Sequence, residues 1–199
     1  MMDSGQFYHS GQRKLQDDFD SRRIADRLQS VTFRQAFTDN DRAFIEGASF
    51  FFLATADAER RPDCSFKGGM PGFVRVIGAD ELVFPDYDGN GMFRSLGNIL
   101  VNAAIGMLFI AMGGKPARLR VNGSARVSPD DPLIGDFIGA QLLIRVHAHA
   151  IFPNCPRYIP GDGGASIYCP RPGVAPVEPA WKGFDSFKDV VPPRVPTRS

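Results

Sequence analysis

The chain lacks the short motifs that announce a mechanism by themselves. It has no GxGxxG or Walker-type phosphate loop, no GxSxG elbow and no HExxH pair, so it offers no signature of a dinucleotide fold, a P-loop, a serine hydrolase or a zinc peptidase. Cysteine is scarce: Cys64, Cys155 and Cys169 make an odd count with no CxxC spacing. That excludes a disulfide framework or a zinc ribbon as the organising device and fits a reduced, cytoplasmic setting. Neither sign of charge dominates, with 23 Lys and Arg against 22 Asp and Glu and a formal net charge of +1. Nucleic acid and anionic membrane therefore have no electrostatic claim on it, and any phosphate must be held locally. The most apolar run, residues 99–112, is too short to span a bilayer and carries Asn102. The first 23 residues have no apolar core, so no secretory signal is expected. Tryptophan is nearly absent, with Trp181 alone, but 17 Phe point to a Phe-packed interior. At 199 residues and 43% hydrophobic content, the chain can bury one proper core with extensions on either side.

The pattern along the chain divides it into a polar, helical N-terminal extension (1–37), a central domain (38–158) and a Pro-rich C-terminal tail (159–199). Thr38 or Asp39 caps a short helix through Arg42 to Glu46 that Gly47 ends. From Ser49 the period changes. Strands are predicted over 49–57, 63–67, 73–77, 81–84, 104–112, 118–127 and 141–152, with a hairpin across Gly78, Ala79 and Asp80. In the sixth, Leu119, Val121 and Gly123 share one face and Arg118, Arg120 and Asn122 the other. In the seventh, Leu142, Ile144, Val146, Ala148 and Ala150 oppose Arg145, His147 and His149. A short helix is expected between Pro129 and Gly139. Successive short strands without βαβ spacing, and one helix inserted among them, predict a mainly β protein: a closed antiparallel barrel with flanking helices.

The stretch that concentrates chemistry is residues 82–99. Leu82 to Phe84 end a strand, Pro85 to Gly91 must turn, and Met92, Phe93, Leu96, Ile99 and Leu100 recur at helical spacing. Asn90 is positioned to cap that helix, with Arg94 and Ser95 one turn in. A turn into a helix N-terminus bearing Arg and Ser is either an anion cradle or an ordinary corner with a surface arginine. Ser65 and Lys67, two apart on a strand and followed by Gly68 and Gly69, suit a phosphate or a solvated strand end. Arg118 and Arg120 share a face that meets either an anion or water. His147 and His149 are neighbours on a strand, but no third metal ligand is near them in sequence. Cys155 sits beside Arg157 with no base placed to activate it, while Cys64 and Cys169 read as structural. No side-chain triad is supported, so a cofactor carrying its own reactivity fits better.

Taken together, FFLATAD, SFKGGMPGFVRV, LVFPDYDGNGMFRSLGNI, NAAIGMLFI, ARLRVNGSARV and IFPNCPRYI make the chain resemble the pyridoxamine-phosphate-oxidase-like flavoproteins, the FMN-binding split-barrel superfamily. The resemblance runs from about residue 38 to 158 and is to the stand-alone branch rather than to the oxidase proper. It implies a split barrel and a homodimer with FMN at the subunit interface. By position, Ser65 and Lys67 would meet the phosphate or ribityl chain, Arg94 and Ser95 the phosphate, and Tyr87, Asn90 and Asn98 the ribityl and ring pocket. Arg118 would stand where the oxidase sets glutamine against the flavin ring. The implied function is an FMN-dependent oxidoreductase acting on a small molecule; the alternative is a flavin, deazaflavin or haem carrier, and FAD is not separated from FMN. The chain departs from the pattern at Gly91, where relatives carry arginine, at Met70 in the Gly-Pro turn, and at Asn102-Ala103 in place of Asn-Pro. The C-terminal arginine motif that the oxidase uses on its substrate is not recognisable in residues 177–199.

Overall fold

The computed structural model describes residues 7–112, 114–161, 164–169, 171–172 and 177–192. Three helices come first, α1 (Ser10–Asp18), α2 (Arg22–Thr32) and α3 (Asp39–Glu46). Thr38 is the cap expected for α3. Its hydroxyl accepts from the Asp41 amide at 3.2 Å while the Asp41 carboxylate accepts from the Thr38 amide at 3.0 Å, and Gly47 closes the helix. This reciprocal box satisfies two amide donors that a helix N-terminus leaves free. Asp41 also receives Arg34 at 2.6 Å, which ties the helix to the segment before it.

Seven strands follow: β1 (Phe50–Ala56), β2 (Pro62–Gly68), β3 (Arg75–Val76), β4 (Glu81–Tyr87), β5 (Ala104–Ala111), β6 (Ala117–Ser128) and β7 (Ala140–Pro153), with α4 (Arg94–Val101) between β4 and β5. They form one antiparallel sheet in the order β2-β1-β5-β6-β7-β4-β3. The alternation that sequence predicts is realised. Phe51, Leu53, Leu82, Phe84, Met107, Phe109, Leu119, Val121, Ile144 and Val146 line the interior, and Phe51 touches the rings of Phe73, Phe84 and Phe109.

Four expectations change in detail. The ladder is not closed: β2 and β3 are its edges and do not pair, so this is a split barrel rather than a fully hydrogen-bonded one. β3 keeps only Arg75 and Val76 because the residues before it spend their amides elsewhere, Gly72 on the Glu46 carbonyl at the end of α3 and Phe73 on the Met70 carbonyl in a turn. The segment from Pro129 to Gly139 forms only a 3-10 turn (Ile134–Asp136), since the Asp131 side chain accepts the Leu133 amide at 3.0 Å and fixes a local turn instead of a helix. In β7 a bulge falls at His149, where Gly123 faces Ala148 and Asn122 faces Ala150. The extra residue reverses the alternation, so Ile151 rather than Ala150 is buried. Gly123 is required at that point: a Cβ there would lie 2.1 Å from the His147 carbonyl oxygen.

The two extensions lie against each other. Arg23 and Arg27 of α2 donate to the carbonyls of Asp189 and Ser186, and Arg27 pairs with the Asp189 carboxylate at 3.1 Å. Trp181, in a second 3-10 turn (Ala180–Gly183), donates its indole N–H to the Cys155 sulfur at 3.2 Å. Residues 162–163, 170, 173–176 and 193–199 of the predicted tail lie outside the described residues. Among the described residues no helix is long and apolar enough to cross a membrane.

Candidate functional site: a cleft at the split of the barrel

The place where the ladder fails to close is a cleft of about 580 Å³, within the usual range for small-molecule sites. Strand β2 forms one wall. In the β1–β2 register Asp63, Ser65 and Lys67 stand opposite Thr55, Leu53 and Phe51, and directly opposed residues share a face. All three therefore point inward. Strand β4 forms the other wall: Asp86 follows Leu82 and Phe84 at the strand period and faces the same way. The loop 88–93 and the start of α4 close the end, and Phe73 and Leu96 lie beneath.

The loop differs from the expectation for Asn90. Its side-chain oxygen accepts from the Met92 amide at 3.0 Å, a local Asx turn, and does not cap α4. The residue preceding α4 is Phe93, in the left-handed region at φ 48°, and no side chain caps the helix. Such a backbone costs a non-glycine residue on the order of 1 kcal/mol. It aims the uncapped first turn of α4 at the β2 wall. There the buried Ser95 hydroxyl meets the Ser65 hydroxyl at 2.8 Å. An uncapped helix start carries free amides and the positive end of the helix dipole, which suits an anion.

The charges are mixed. Lys67 Nζ lies 3.8 Å from Asp86 Oδ1, both side chains being largely buried at 21% and 12% exposure. Burial pushes the Asp86 carboxyl above the ordinary aspartate range, partly offset by the Lys67 ammonium. Arg94 is 63% exposed and rests 3.3 Å from Asp63.

Of the residues that sequence and resemblance singled out, Ser65, Lys67, Tyr87, Asn90, Arg94 and Ser95 converge on this cleft. Asn98 and Arg118 do not line it. Asn98 donates to the buried Thr55 hydroxyl at 3.0 Å and locks α4 onto β1. Arg118 stands on the outer face of β6 opposite Ile110, its Nε buried with no hydrogen-bond partner among the described residues. His147 and His149 are also outside the cleft. Their rings lie 5.2 Å apart, and His147 pairs with Asp80 at 3.2 Å. Cys64 is exposed on the outer face of β2, not the structural residue expected. Sequence reasoning missed Asp63 and Asp86. Strand period would have found Asp63, which continues the Ser65–Lys67 face; Asp86 continues the Leu82–Phe84 face only because β4 runs on through a stretch of turn composition.

A barrel of this order, with a cleft at its split, agrees with the comparison to known families: the profile of the pyridoxamine 5'-phosphate oxidase family matches residues 37–158, and the chain belongs to that family. Among solved structures it is similar to HupZ from Group A Streptococcus (18% identity, 65% of this chain and 98% of that one, TM-score 0.47). It is also similar to HutZ, the haem storage protein from Vibrio cholerae (18% identity, 57% and 92%, TM-score 0.44). A third is an FMN-binding protein from Syntrophomonas wolfei (11% identity, 72% and 96%, TM-score 0.40). No curated protein matches the chain.

Proposed function

We propose that the chain binds FMN in the cleft and acts, as a cytoplasmic homodimer, as an FMN-dependent oxidoreductase on a small molecule. The observation that carries the reading is the convergence of Ser65 and Lys67 from β2 with Arg94 and Ser95 from the uncapped start of α4, anchored by the 2.8 Å hydroxyl contact. Two hydroxyls, two cations and free helix amides are the donors a phosphate monoester asks for. Tyr87 and Asn90 stand where the ribityl chain would leave the phosphate, and the exposed Met92 and Phe93 offer an apolar rim to a ring. When bound, the flavin supplies the electron-transfer chemistry. The residues of the chain hold its phosphate, and Asn98 holds the helix that presents Ser95.

The dimer reading rests on the outer face of β2-β1-β5. Phe66 is 62% exposed there, its ring stacked on Phe50 at 5.4 Å and edge-on to Phe52 at 6.1 Å. Leu108 faces Phe52, and Ile110 lies farther along β5. A contiguous apolar face of this kind marks an interaction surface. Arg118 borders it through Ile110, so a second copy seated on this face would cover Arg118.

A second reading, a carrier of flavin, FAD, deazaflavin or haem without turnover, is favoured by one observation: among the described residues no histidine lines the cleft, and its acids stand against its cations, Asp86 facing Lys67 and Asp63 facing Arg94. The test of both is the visible absorption spectrum of freshly purified protein, with the released cofactor identified by mass. A flavin spectrum and an FMN mass support the first reading and turn attention to donors and acceptors. A haem spectrum, or a protein that takes up no flavin, refutes it.

A further inference from the structure

We propose that Asp86 is the internal counter-anion of Lys67, and that a phosphate entering the cleft displaces it from that role and drives a proton onto its carboxyl. The inference rests on the cleft being the phosphate site proposed above. Its basis is geometric. Asp86 and Lys67 come from opposite walls of the split, β4 and β2, and meet at 3.8 Å with little exposure to water. That separation is too long for a hydrogen bond, so among the described residues Lys67 has no locked partner and keeps its donors for a ligand. The ionisable groups around the cleft at Asp86 are Lys67, Asp63 and Cys64 on β2, Arg94 at the start of α4, Tyr87 at the end of its own strand and Asp88 just beyond it; from β7 the cleft receives only the uncharged Gln141. At neutral pH the cations there are Lys67 and Arg94, and the carboxylates are Asp63, Asp86 and Asp88, with Arg94 already beside Asp63.

A phosphate dianion added to that set would share Lys67 with a second, buried anion. Like charges at such range cannot both stay ionised without cost, and the cheapest relief is protonation of the carboxylate that burial already disfavours. Asp63 is relieved by Arg94, and Asp88 is exposed, so Asp86 takes the proton. A protonated Asp86 can also donate to a phosphate oxygen, which an ionised one cannot. The sign follows. Binding raises the Asp86 pKa, so binding takes up a proton, and the carboxylate weakens phosphate binding as pH rises.

The test is calorimetric titration of the wild-type protein, Asp86→Asn and Asp88→Asn with FMN, and with riboflavin as the phosphate-free control. It is run between about pH 5 and 8, across the range to which a raised carboxylate can move, in buffers of different ionisation enthalpy. Wild type and Asp88→Asn should take up more protons on binding FMN than Asp86→Asn. Near pH 8, Asp86→Asn should bind FMN about ten-fold tighter than wild type, with the gap closing as pH falls and riboflavin unaffected. Equal proton uptake in wild type and Asp86→Asn, or weaker FMN binding by Asp86→Asn at every pH, overturns the inference. Carbon-13 NMR of the Asp86 carboxyl in the wild type needs no variant: its titration midpoint must rise when ligand is added, and an unmoved midpoint overturns the inference too. If no protein binds FMN, the flavin reading fails by itself, and inorganic pyrophosphate replaces FMN with the same readouts. A cleft that binds neither overturns this inference as well.

Discussion

Replacing Lys67 with alanine should do more damage to cofactor retention than replacing Arg94, although arginine is the better phosphate ligand in general. The structure sets the order. Lys67 is 21% exposed and has no hydrogen-bonded partner among the described residues, so its attraction to a phosphate is little screened. A charge-assisted contact in such a place is worth about 1.5–3 kcal/mol, or roughly 10- to 150-fold in Kd. Removing it also leaves the Asp86 carboxylate uncompensated beside the ligand, which adds to the loss. Arg94 is 63% exposed and is already held by Asp63 at 3.3 Å, so it behaves as a surface pair worth about 0.2–1 kcal/mol, under roughly ten-fold. Fluorescence titration of apoprotein with FMN measures both, and a cycle with Asp86→Asn separates the direct contact from the uncompensated charge. The Lys67→Ala loss should shrink in the Asp86→Asn background, because the two side chains face each other at 3.8 Å and cannot act independently. An Arg94→Ala loss larger than the Lys67→Ala loss would refute the placement of the phosphate on the β2 wall. A Lys67→Ala protein that still purifies with full flavin would refute the cradle.

Two further perturbations test the frame around the cleft. Asp131 is buried and held by Arg145 at 2.5 and 2.9 Å, and this pairing keeps its carboxyl below the ordinary aspartate range. A depressed carboxylate contributes stability above its unfolded pKa and loses it as pH falls through the folded value. Wild-type urea stability should therefore drop from about pH 4 downward. Asp131→Asn should cost about 2–3 kcal/mol at neutral pH, less than a fully orphaned charge because Arg145 keeps Glu81 at 3.2 Å, and should lose less in acid; equal acid sensitivity of the two proteins counts against it. Phe66→Asp puts a charge on the exposed apolar face of β2 and should convert the dimer to monomer by light scattering; a wild-type protein already monomeric at micromolar concentration removes the dimer reading.

The parts of this chain legible in its sequence are those set by local rules. Strand alternation placed Ser65 and Lys67 on one inward face and separated Leu119 and Val121 from Arg118 and Arg120. The Thr38 cap and the Gly47 stop follow from side-chain hydrogen-bonding reach and helix-end geometry. What escaped was decided by competition for hydrogen bonds at a distance. Asn90 was free to cap α4 in sequence terms, but the Met92 amide is nearer and wins it. Asp131 could have begun a helix, but Arg145, fourteen residues on, holds its carboxylate. The bulge at His149 depends on the pairing of β6 with β7, and a one-residue shift there turns Ile151 inward; no pattern within β7 alone encodes it.

Asp86 shows why the site itself was only half legible. In sequence it belongs to a Pro-Asp-Tyr-Asp-Gly run, the composition of a turn, and turns have no faces. In the fold, strand β4 continues through Pro85 to Tyr87, which proline permits because the side of β4 beyond the two-residue β3 has no partner strand waiting for its amide. That extension carries Asp86 past the end of its sheet neighbour and into the gap opposite β2. The same shortness of β3 that leaves the ladder open thus supplies both the room for a ligand and the acid that faces Lys67 across it. A β3 long enough to close the barrel would need the amide that Pro85 lacks. The open seam and the carboxylate that regulates it are therefore consequences of one local choice in the chain, and the cleft is where polar groups gather because it is where the sheet leaves them unpaired.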